Sequence, residues 1–309
     1  MANTYNSLHS RRSKGWGEIK IEIFIVFIPL LLIFLYIENN CITSTCLEIE
    51  CDSLPKSFDG YKIVHLSDLH NKKFGKDQRY LIDRIEKANP DLIVCTGDLI
   101  DSRCHGMDNS ISLMKECVDI APVYYVTGNH EWRSEQFNLL KEALIETGVK
   151  ILQDTHCVIE REEEKIYILG IDDPSRFYKR QWNEGEVLSE GIYEMEEDDV
   201  IREGIERSIE DIEDGEFKIL LTHRPEKLHI YSEYDIDMVF AGHAHGGQVR
   251  LPFIGGIIAP DQGFFPQYTS GKYICKNSTM VVNRGLGNSI IPQRLFNRPE
   301  IVIVTLRLL

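Results

Sequence analysis

None of the eight cysteines (Cys41, Cys46, Cys51, Cys95, Cys104, Cys117, Cys157 and Cys275) stands in a C-x-x-C pair. That absence removes zinc-ribbon and thioredoxin-type readings. Cys41, Cys46 and Cys51 are near enough in sequence to pair outside the cell, and free thiols in a reducing setting are an equal alternative. Cys95, inside an apolar run, reads as a small core residue. A basic stripe is also missing. The formal net charge is −15, and the stretch Glu160–Glu216 alone carries 21 acidic and 7 basic residues. Such an acidic body excludes sequence-independent nucleic-acid binding, so no nucleic-acid partner is expected. No protein partner is predicted either. There is no internal repeat and no low-complexity linker. With 309 residues, 43% of them hydrophobic and 27% charged, disorder is excluded and one large α/β domain is expected.

The chain also lacks the run of ~20 apolar residues that a bilayer span asks for. It has instead Ile23–Ile37, apolar apart from Tyr36 and the helix-tolerated Pro29. Lys20 and Glu22 flank the run and can snorkel near an interface. Arg11, Arg12 and Lys14 precede it, while Glu38, Asn39 and Asn40 follow, which places the N-terminus in the cytoplasm and the main domain outside. No small-residue cleavage site follows. The expectation is a cytoplasmic tail and single-pass signal anchor over residues 1–40, followed by a folded domain over 41–309 at the cell membrane, on its extracytoplasmic side; a cleaved signal, a peripheral amphipathic segment and a buried core helix are the alternatives.

The body of the chain has a rhythm. After a strand at Thr43–Glu50, short apolar runs at Tyr61–Leu66, Asp91–Thr96 and Val123–Thr127 end in Asp68-Leu69-His70, Gly97-Asp98 and Gly128-Asn129-His130. Between them Leu81, Ile82, Ile85 and Ala88, then Ile111, Met114, Cys117 and Val118, recur at helical spacing. Ser134 is placed to cap a helix over Glu135–Thr147 that Gly148 closes. Alternation every ~30 residues predicts βαβ units and a parallel sheet. Val149–Gln153, His156–Glu160 and Lys165–Ile171 read as a meander. A helix carries Ile201, Ile205, Ile209 and Ile212. Buried strands at Phe217–Thr222 and Met238–Ala241 end in His223 and in Gly242-His243-Ala244-His245. Tyr273–Cys275, Thr279–Asn283 and Glu300–Leu306 read as antiparallel strands.

Polar, metal-type residues thus follow five separate buried strands, where ligands bind in α/β sheets. Each alone is a weak signal, since a lone Gly-Asp is usually a turn and a lone buried His is usually a satisfied core residue. The ordered set D-x-H, G-D-x-x-D, G-N-H-E, H and G-H-x-H is specific. It resembles the calcineurin-like metallophosphoesterase family, from about Tyr61 to the C-terminus. The resemblance implies an α/β/β/α sandwich of four layers with two mixed β-sheets and a metal site at the C-terminal ends of strands. It implies that Asp68, His70, Asp98 and His245 hold one divalent metal, and that Asp98 bridges to a second held by Asn129, His223 and His243. Carboxylate, amide and imidazole suit Mn, Fe or Zn. A carboxylate shared by two cations ~3.5–4 Å apart lets a water between them lose a proton near neutral pH and attack phosphorus in line. His130 reads as the catalytic stabiliser or general acid, oriented by Asp101. Glycines 97, 128 and 242 let the backbone turn tightly.

The membrane-anchored bacterial branch is similar too, through the apolar segment, His243–Gln248 and Asn283-Arg284-Gly285-Leu286-Gly287-Asn288. Some of its members hydrolyse the pyrophosphate of UDP-2,3-diacylglucosamine, a substrate that sits badly with an outward-facing domain. Arg284 is the substrate-binding candidate, against the plain reading of a solvated Arg in a turn. The expected partner is a phosphate ester, small or lipid-linked. A metallo-β-lactamase-type centre wants an Asp two residues after the second His, and Gly246-Gly247-Gln248 stands there instead. A non-catalytic scaffold would lack ligands or His130. The acidic stretch reads as a solvated insertion rather than a substrate-selecting lid.

Overall fold

The computed structural model describes residues 16–309 except 135, 180–181, 184–185, 188–191, 194 and 290, and side chains outside 16–24 and 178–194. Arg11, Arg12 and Lys14 lie outside the described residues. Helix α1 runs Trp16–Asn40. Among the described residues, no helix is long and apolar enough to cross a membrane. Every residue from Ile25 to Ile33 is exposed, so apolar side chains face solvent on all sides of this part of the helix. Its last turn is tied down: Asn297 N–H donates to Glu38 at 3.0 Å, Arg294 N–H to Asn39 at 3.0 Å, and Lys72 Nζ to the Asn39 carbonyl at 2.6 Å.

Strand β1 is Thr43–Cys51, β2 Lys62–Leu66, β3 Leu92–Thr96 and β4 Val123–Val126. Helices α2 (Arg79–Ala88) and α3 (Asp108–Ile120) make the crossovers between them. A short α4 (Asn129–Arg133) and then α5 (Phe137–Thr147) lead to β5, Lys150–Ile151. A hairpin follows, β6 (Thr155–Arg161) and β7 (Glu164–Gly170). Then come α6 (Glu197–Ser208), β8 (Lys218–Leu221), α7 (Leu228–Tyr231) and β9 (Met238–Ala241). Two small hairpins, β10 (Arg250–Leu251) with β11 (Gly255–Gly256) and β12 (Ile258–Ala259) with β13 (Gly263–Phe264), precede β14 (Gly271–Cys275), β15 (Ser278–Val282) and β16 (Glu300–Leu308).

Six strands form each main sheet, in the orders β1-β16-β2-β3-β4-β5 and β14-β15-β9-β8-β7-β6. Period-two alternation divides their side chains among three cores. Val64, Ile93 and Cys95 face α2, α3 and α5. Ile63, Leu92 and Val94 meet Ile166, Ile168, Ile219 and Phe240 between the sheets. Leu169, Leu220 and Val239 face α6 and α7. The result is the expected α/β/β/α sandwich. Burial on both faces explains why these strands read as continuous apolar runs.

Pairing departs from the sequence reading in three places. β5 does not join a meander with β6 and β7; it pairs parallel with β4 in the first sheet. β16 is antiparallel to β2 but parallel to β1, so only β14 and β15 of the tail are an antiparallel pair within the second sheet. Ser134 does not start α5. It follows α4, donating to the Glu131 carbonyl at 2.9 Å, and α5 begins at Phe137. Gly148 does close α5, with φ of 95°. All eight cysteines are free thiols.

Candidate dinuclear metal centre

Five chain segments leave the C-terminal ends of parallel strands β2, β3, β4, β8 and β9 and converge at one edge of the sandwich. Their backbones lock one another. Asp68 N–H donates to Gly97 O at 3.0 Å and His70 N–H to Asp98 O at 2.9 Å. Glu131, wholly buried, accepts from the amides of Gly128 at 2.7 Å and Asp98 at 2.9 Å. Asp68, His70, Asp98, His243 and His245 all have positive φ without being glycine. Left-handed backbone of this kind persists where surrounding structure holds it, and it gathers at functional sites. Of the three glycines assigned to tight turning, Gly97 has positive φ, 86°. The other two serve closeness: a Cβ on Gly128 would lie 2.4 Å from Asp98 Oδ1, and one on Gly242 1.9 Å from Ser67 Oγ.

Two groups of side chains form around Asp98. Asp68, His70, Asp98 and His245 bring their donor atoms within 4.8 Å of one another, and so do Asp98, His223 and His243. Asp98 Oδ2 is 3.6 Å from His70 Nε2 and 3.3 Å from His223 Nε2, so one carboxylate is common to both groups. Protons on the second pair of rings are committed elsewhere. His223 Nδ1–H donates to the Thr96 carbonyl at 2.6 Å, and His243 Nε2–H donates to Asp261 at 2.8 Å. The remaining nitrogens, His223 Nε2 and His243 Nδ1, face each other at 3.1 Å. His70 Nε2 and His245 Nε2 also face each other at 3.1 Å, and their Nδ1 atoms are buried without hydrogen-bond partners. Neutral rings at 223 and 243 set lone pair against lone pair, and at 70 and 245 either the same happens or one ring donates to the other and leaves a buried Nδ1–H unmet; a cation between the rings relieves both. Asn129 adds a buried Oδ1 with no hydrogen-bond partner. Such a donor set fits divalent cations.

The carboxylates around His223 call for positive charge at the same point, supplied either by a proton on its Nε2 or by a cation beside it. Burial opposes charge on His223, but Asp98, Asp68 and Asp173 outweigh it and push its pKa up to about 10. Burial lifts the Asp68 carboxyl to about 6, against the pull of His223. The Asp98 carboxyl stays well below the usual range, because the imidazoles around it overcome its desolvation.

His130 stands at the open side, its ring 4.6 Å from that of His70. The Ser102 amide donates to His130 Nδ1 at 3.0 Å, so the neutral ring carries its proton on Nε2. Asp101 lies 3.4 Å from Nδ1, and its carboxylate is gripped by Arg103 through Nε at 2.9 Å and Nη2 at 2.6 Å. Asp101 therefore acts on His130 by charge. Burial works against the imidazolium, and Asp98 and Asp101 more than offset that, raising the His130 pKa. Arg284, the substrate-binding candidate, is 3.6 Å from Glu300 and does not line the cleft. The two glycines beside it are filled space: a Cβ on Gly285 would meet Asp68 Cβ at 2.7 Å and one on Gly287 the Leu69 carbonyl at 2.4 Å.

A cleft of about 270 Å³ opens over this centre, lined by Asp98, Arg103, His130, Arg133, Asp261 and Ser289 among others. A larger groove of about 630 Å³ at the foot of α1 brings no comparable set together. Several residues escaped the sequence reading. Arg103 and Arg133 supply cationic walls. Wholly buried Arg224 donates through Nε to Asp173 at 2.6 Å and pairs through Nη1 with Asp261. Asp173 belongs to the acidic stretch, which is thus not merely solvated. Arg224 had a signal, lying beside His223; Asp261 sits in a Pro-Asp-Gln-Gly turn and had none.

Residues 61–247 match the family model described as calcineurin-like phosphoesterase. The chain belongs to that family. It is 30% identical over 277 residues to the metallophosphoesterase YkuE of Bacillus subtilis (strain 168), covering 88% of each chain. Phosphodiesterase YaeI of Escherichia coli (strain K12) is 25% identical over 80% of this chain and 82% of its own. A transmembrane protein with metallophosphoesterase domain from Danio rerio is 28% identical over 84% of this chain and 56% of its own length. Membership makes this calcineurin-like protein a metal-binding hydrolase of phosphoesters.

Proposed function

We propose that the protein hydrolyses a phosphodiester or pyrophosphate bond in a small or membrane-borne substrate, using two divalent cations, Mn, Fe or Zn. Asp68, His70, Asp98 and His245 would hold one, and Asp98, Asn129, His223 and His243 the other. The observation that carries this reading is the pair of imidazole–imidazole contacts flanking one shared carboxylate, each asking for positive charge. When bound, two such cations supply Lewis acidity that activates water and neutralises phosphoryl charge. The chain's own residues do the rest. Arg103 and Arg133 grip non-bridging oxygens from the cleft wall. His130, as the imidazolium that Asp98 and Asp101 favour, gives its Nε2 proton to the leaving oxygen and is left as a neutral ring whose other proton lies on Nδ1 towards Asp101. Asp101 favours the charged ring. The test is hydrolysis of bis-p-nitrophenyl phosphate with Mn²⁺, with and without chelator. No metal-dependent hydrolysis of any phosphate ester would return the scaffold reading. His130→Ala should lower turnover by about 10²–10⁴-fold while two metals per chain remain bound, as read by metal analysis. Wild-type turnover in that variant would remove His130 from the chemistry.

The attachment we propose is membrane-bound, through the apolar run Ile23–Ile37, as an anchor with the domain over residues 41–309 on the extracytoplasmic side. Two things support it: apolar side chains exposed all round α1, which no soluble surface helix presents, and basic residues on its N-terminal side only. Extraction of cell membranes with carbonate tests it; release of the chain into the supernatant would count against an anchor.

A further inference from the structure

Each of the two small hairpins carries large apolar side chains at one end, β10–β11 at its turn and β12–β13 at the end opposite its turn. Phe253, in the turn between β10 and β11, is fully exposed with φ of 68°, and Ile254 beside it is exposed too. Phe264 and Phe265, at the end of the β12–β13 hairpin, are 73% and 70% exposed, the second with φ of 55°. Left-handed φ is unusual for phenylalanine, and both hairpin phenylalanines that adopt it are exposed. Backbone hydrogen bonds tie these hairpins to each other and to the segment that packs on α1. Arg250 N–H donates to Leu295 O at 3.0 Å, Ile257 N–H to Val249 O at 2.9 Å, and Phe265 N–H to Ile257 O at 2.8 Å. Phe296, half-exposed, packs against Phe34 of α1 with ring centroids 5.5 Å apart. The same loops border the cleft, for Asp261 lies between β12 and β13, and Ser289 two residues before exposed Ile291.

Charge is unevenly spread along the sequence. Residues 245–309 carry seven Lys or Arg and two Asp or Glu, in a chain whose formal net charge is −15. Two of these cations stand beside the apolar side chains, half-buried Arg250 on β10 and exposed Arg298 two residues after Phe296, and cations next to an apolar patch suit an anionic lipid surface, where rings enter the acyl boundary and cations meet headgroups. A second copy of the same patch would bring like charge against like charge.

We infer that the exposed hairpin residues Phe253–Ile254 and Phe264–Phe265 dock on the surface of an anionic phospholipid bilayer, the one that seats α1, and set the cleft mouth among headgroups. The substrate class this favours is a phosphate ester carried by the membrane itself. The inference rests on the membrane attachment proposed above, and its test keeps the two apart.

The full chain is reconstituted in vesicles of phosphatidylcholine, with and without phosphatidylglycerol, and with or without acyl-brominated lipid. Phe264→Trp adds an emitter over the background of Trp16, Trp132 and Trp182. Ile145→Trp, on the last turns of α5 and so at the sandwich edge away from the cleft, is the control. Brominated lipid should quench the emission added at 264 at least about twofold, more strongly with phosphatidylglycerol present, and leave that added at 145 unchanged. Phe253→Trp repeats the measurement should the first variant melt differently from the unaltered chain. Sedimentation of the unaltered chain with vesicles measures attachment on its own. A chain that sediments yet shows no quenching at 264 or 253, or equal quenching at 145, overturns the docking face; quenching indifferent to phosphatidylglycerol overturns the anionic surface.

Discussion

At the scale of single residues, the centre depends on groups that touch no substrate. Asp261 accepts from His243 Nε2 and thereby aims Nδ1 at His223, the carboxylate–imidazole arrangement that fixes the ring of a metal-binding histidine. Asp261→Ala should weaken Mn²⁺ binding at the site of His223 and His243 by about 10–100-fold, with Asp261→Asn, which keeps an acceptor, losing less. Calorimetric titration of Mn²⁺ checks this, and equal affinity in all three chains would leave Asp261 a bystander. Glu226 poses a different problem. Both its carboxylate oxygens are buried without hydrogen-bond partners, and burial pushes its pKa up to about 7 although Arg224 pulls the other way. The unfolded chain releases this proton near pH 4.5, while the folded chain keeps it to about 7. Between those values the folded state binds more protons, so the contribution of Glu226 to stability is greatest below the lower value and falls as pH rises through the window. Glu226→Gln removes the fall. Its melting temperature relative to the unaltered chain should climb from pH 4.5 to 7.5, a change worth up to about 3 kcal/mol at ~1.4 per pKa unit. A flat difference across that range would mean that Glu226 titrates normally.

At the scale of elements, loops rather than strands hold the centre in register. The segment after β15 lies against the segment after β2: Gly287 N–H donates to Asp68 O at 2.6 Å, Leu286 N–H to Ser67 O at 3.1 Å, and Asn283 Nδ2 to His65 O at 2.7 Å. A methyl group on Gly287 would press on backbone atoms that cannot move aside. Gly287→Ala should therefore cost about 1–3 kcal/mol in urea unfolding, the range for overpacking, and displace Asp68 enough to reduce turnover. Unchanged stability would show that the loop yields freely. This clasp marks the limit of what the chain's letters disclose. Strand positions were legible because burial on both faces leaves unbroken apolar runs, and the five segments carrying polar residues were legible because those residues follow such runs directly. Which sheet β5 and β16 would join was not, since pairing is decided by partners far away in the chain. Nor was the reason for Gly128, Gly242, Gly285 and Gly287: a glycine needed for space looks the same as one needed for a turn. Arg284 drew notice for its glycine neighbours, whereas Arg103 and Arg133 did not, because nothing local says which arginine a fold will turn towards its cleft.

At the scale of the whole molecule, the centre is also a clamp between two sheets. The first sheet brings Asp68, His70, Asp98 and Asn129 on the loops after β2, β3 and β4; the second brings His223, His243 and His245 on those after β8 and β9. Cations held by both sets would cross-link the sandwich at an edge where the interior otherwise gathers buried carboxylates and facing lone pairs. Binding to the folded chain alone stabilises it by about 2.7 kcal/mol for each site at a hundred times the dissociation constant. At ~2–4 °C per kcal/mol for a domain of this size, Mn²⁺ should raise the melting temperature of chelator-stripped protein by about 5–20 °C, depending on whether one or both sites fill. Asp98→Asn, which weakens the one carboxylate shared by both groups, should lose most of that rise. His130→Ala should keep it, because that ring stands beside the donor set and outside it. Scanning calorimetry of the three chains, stripped and reloaded, reads the outcome directly. If stripped wild type melts where loaded wild type does, or if His130→Ala loses the rise as completely as Asp98→Asn, then the two sheets are held together by their apolar interface alone and the clamp does not exist.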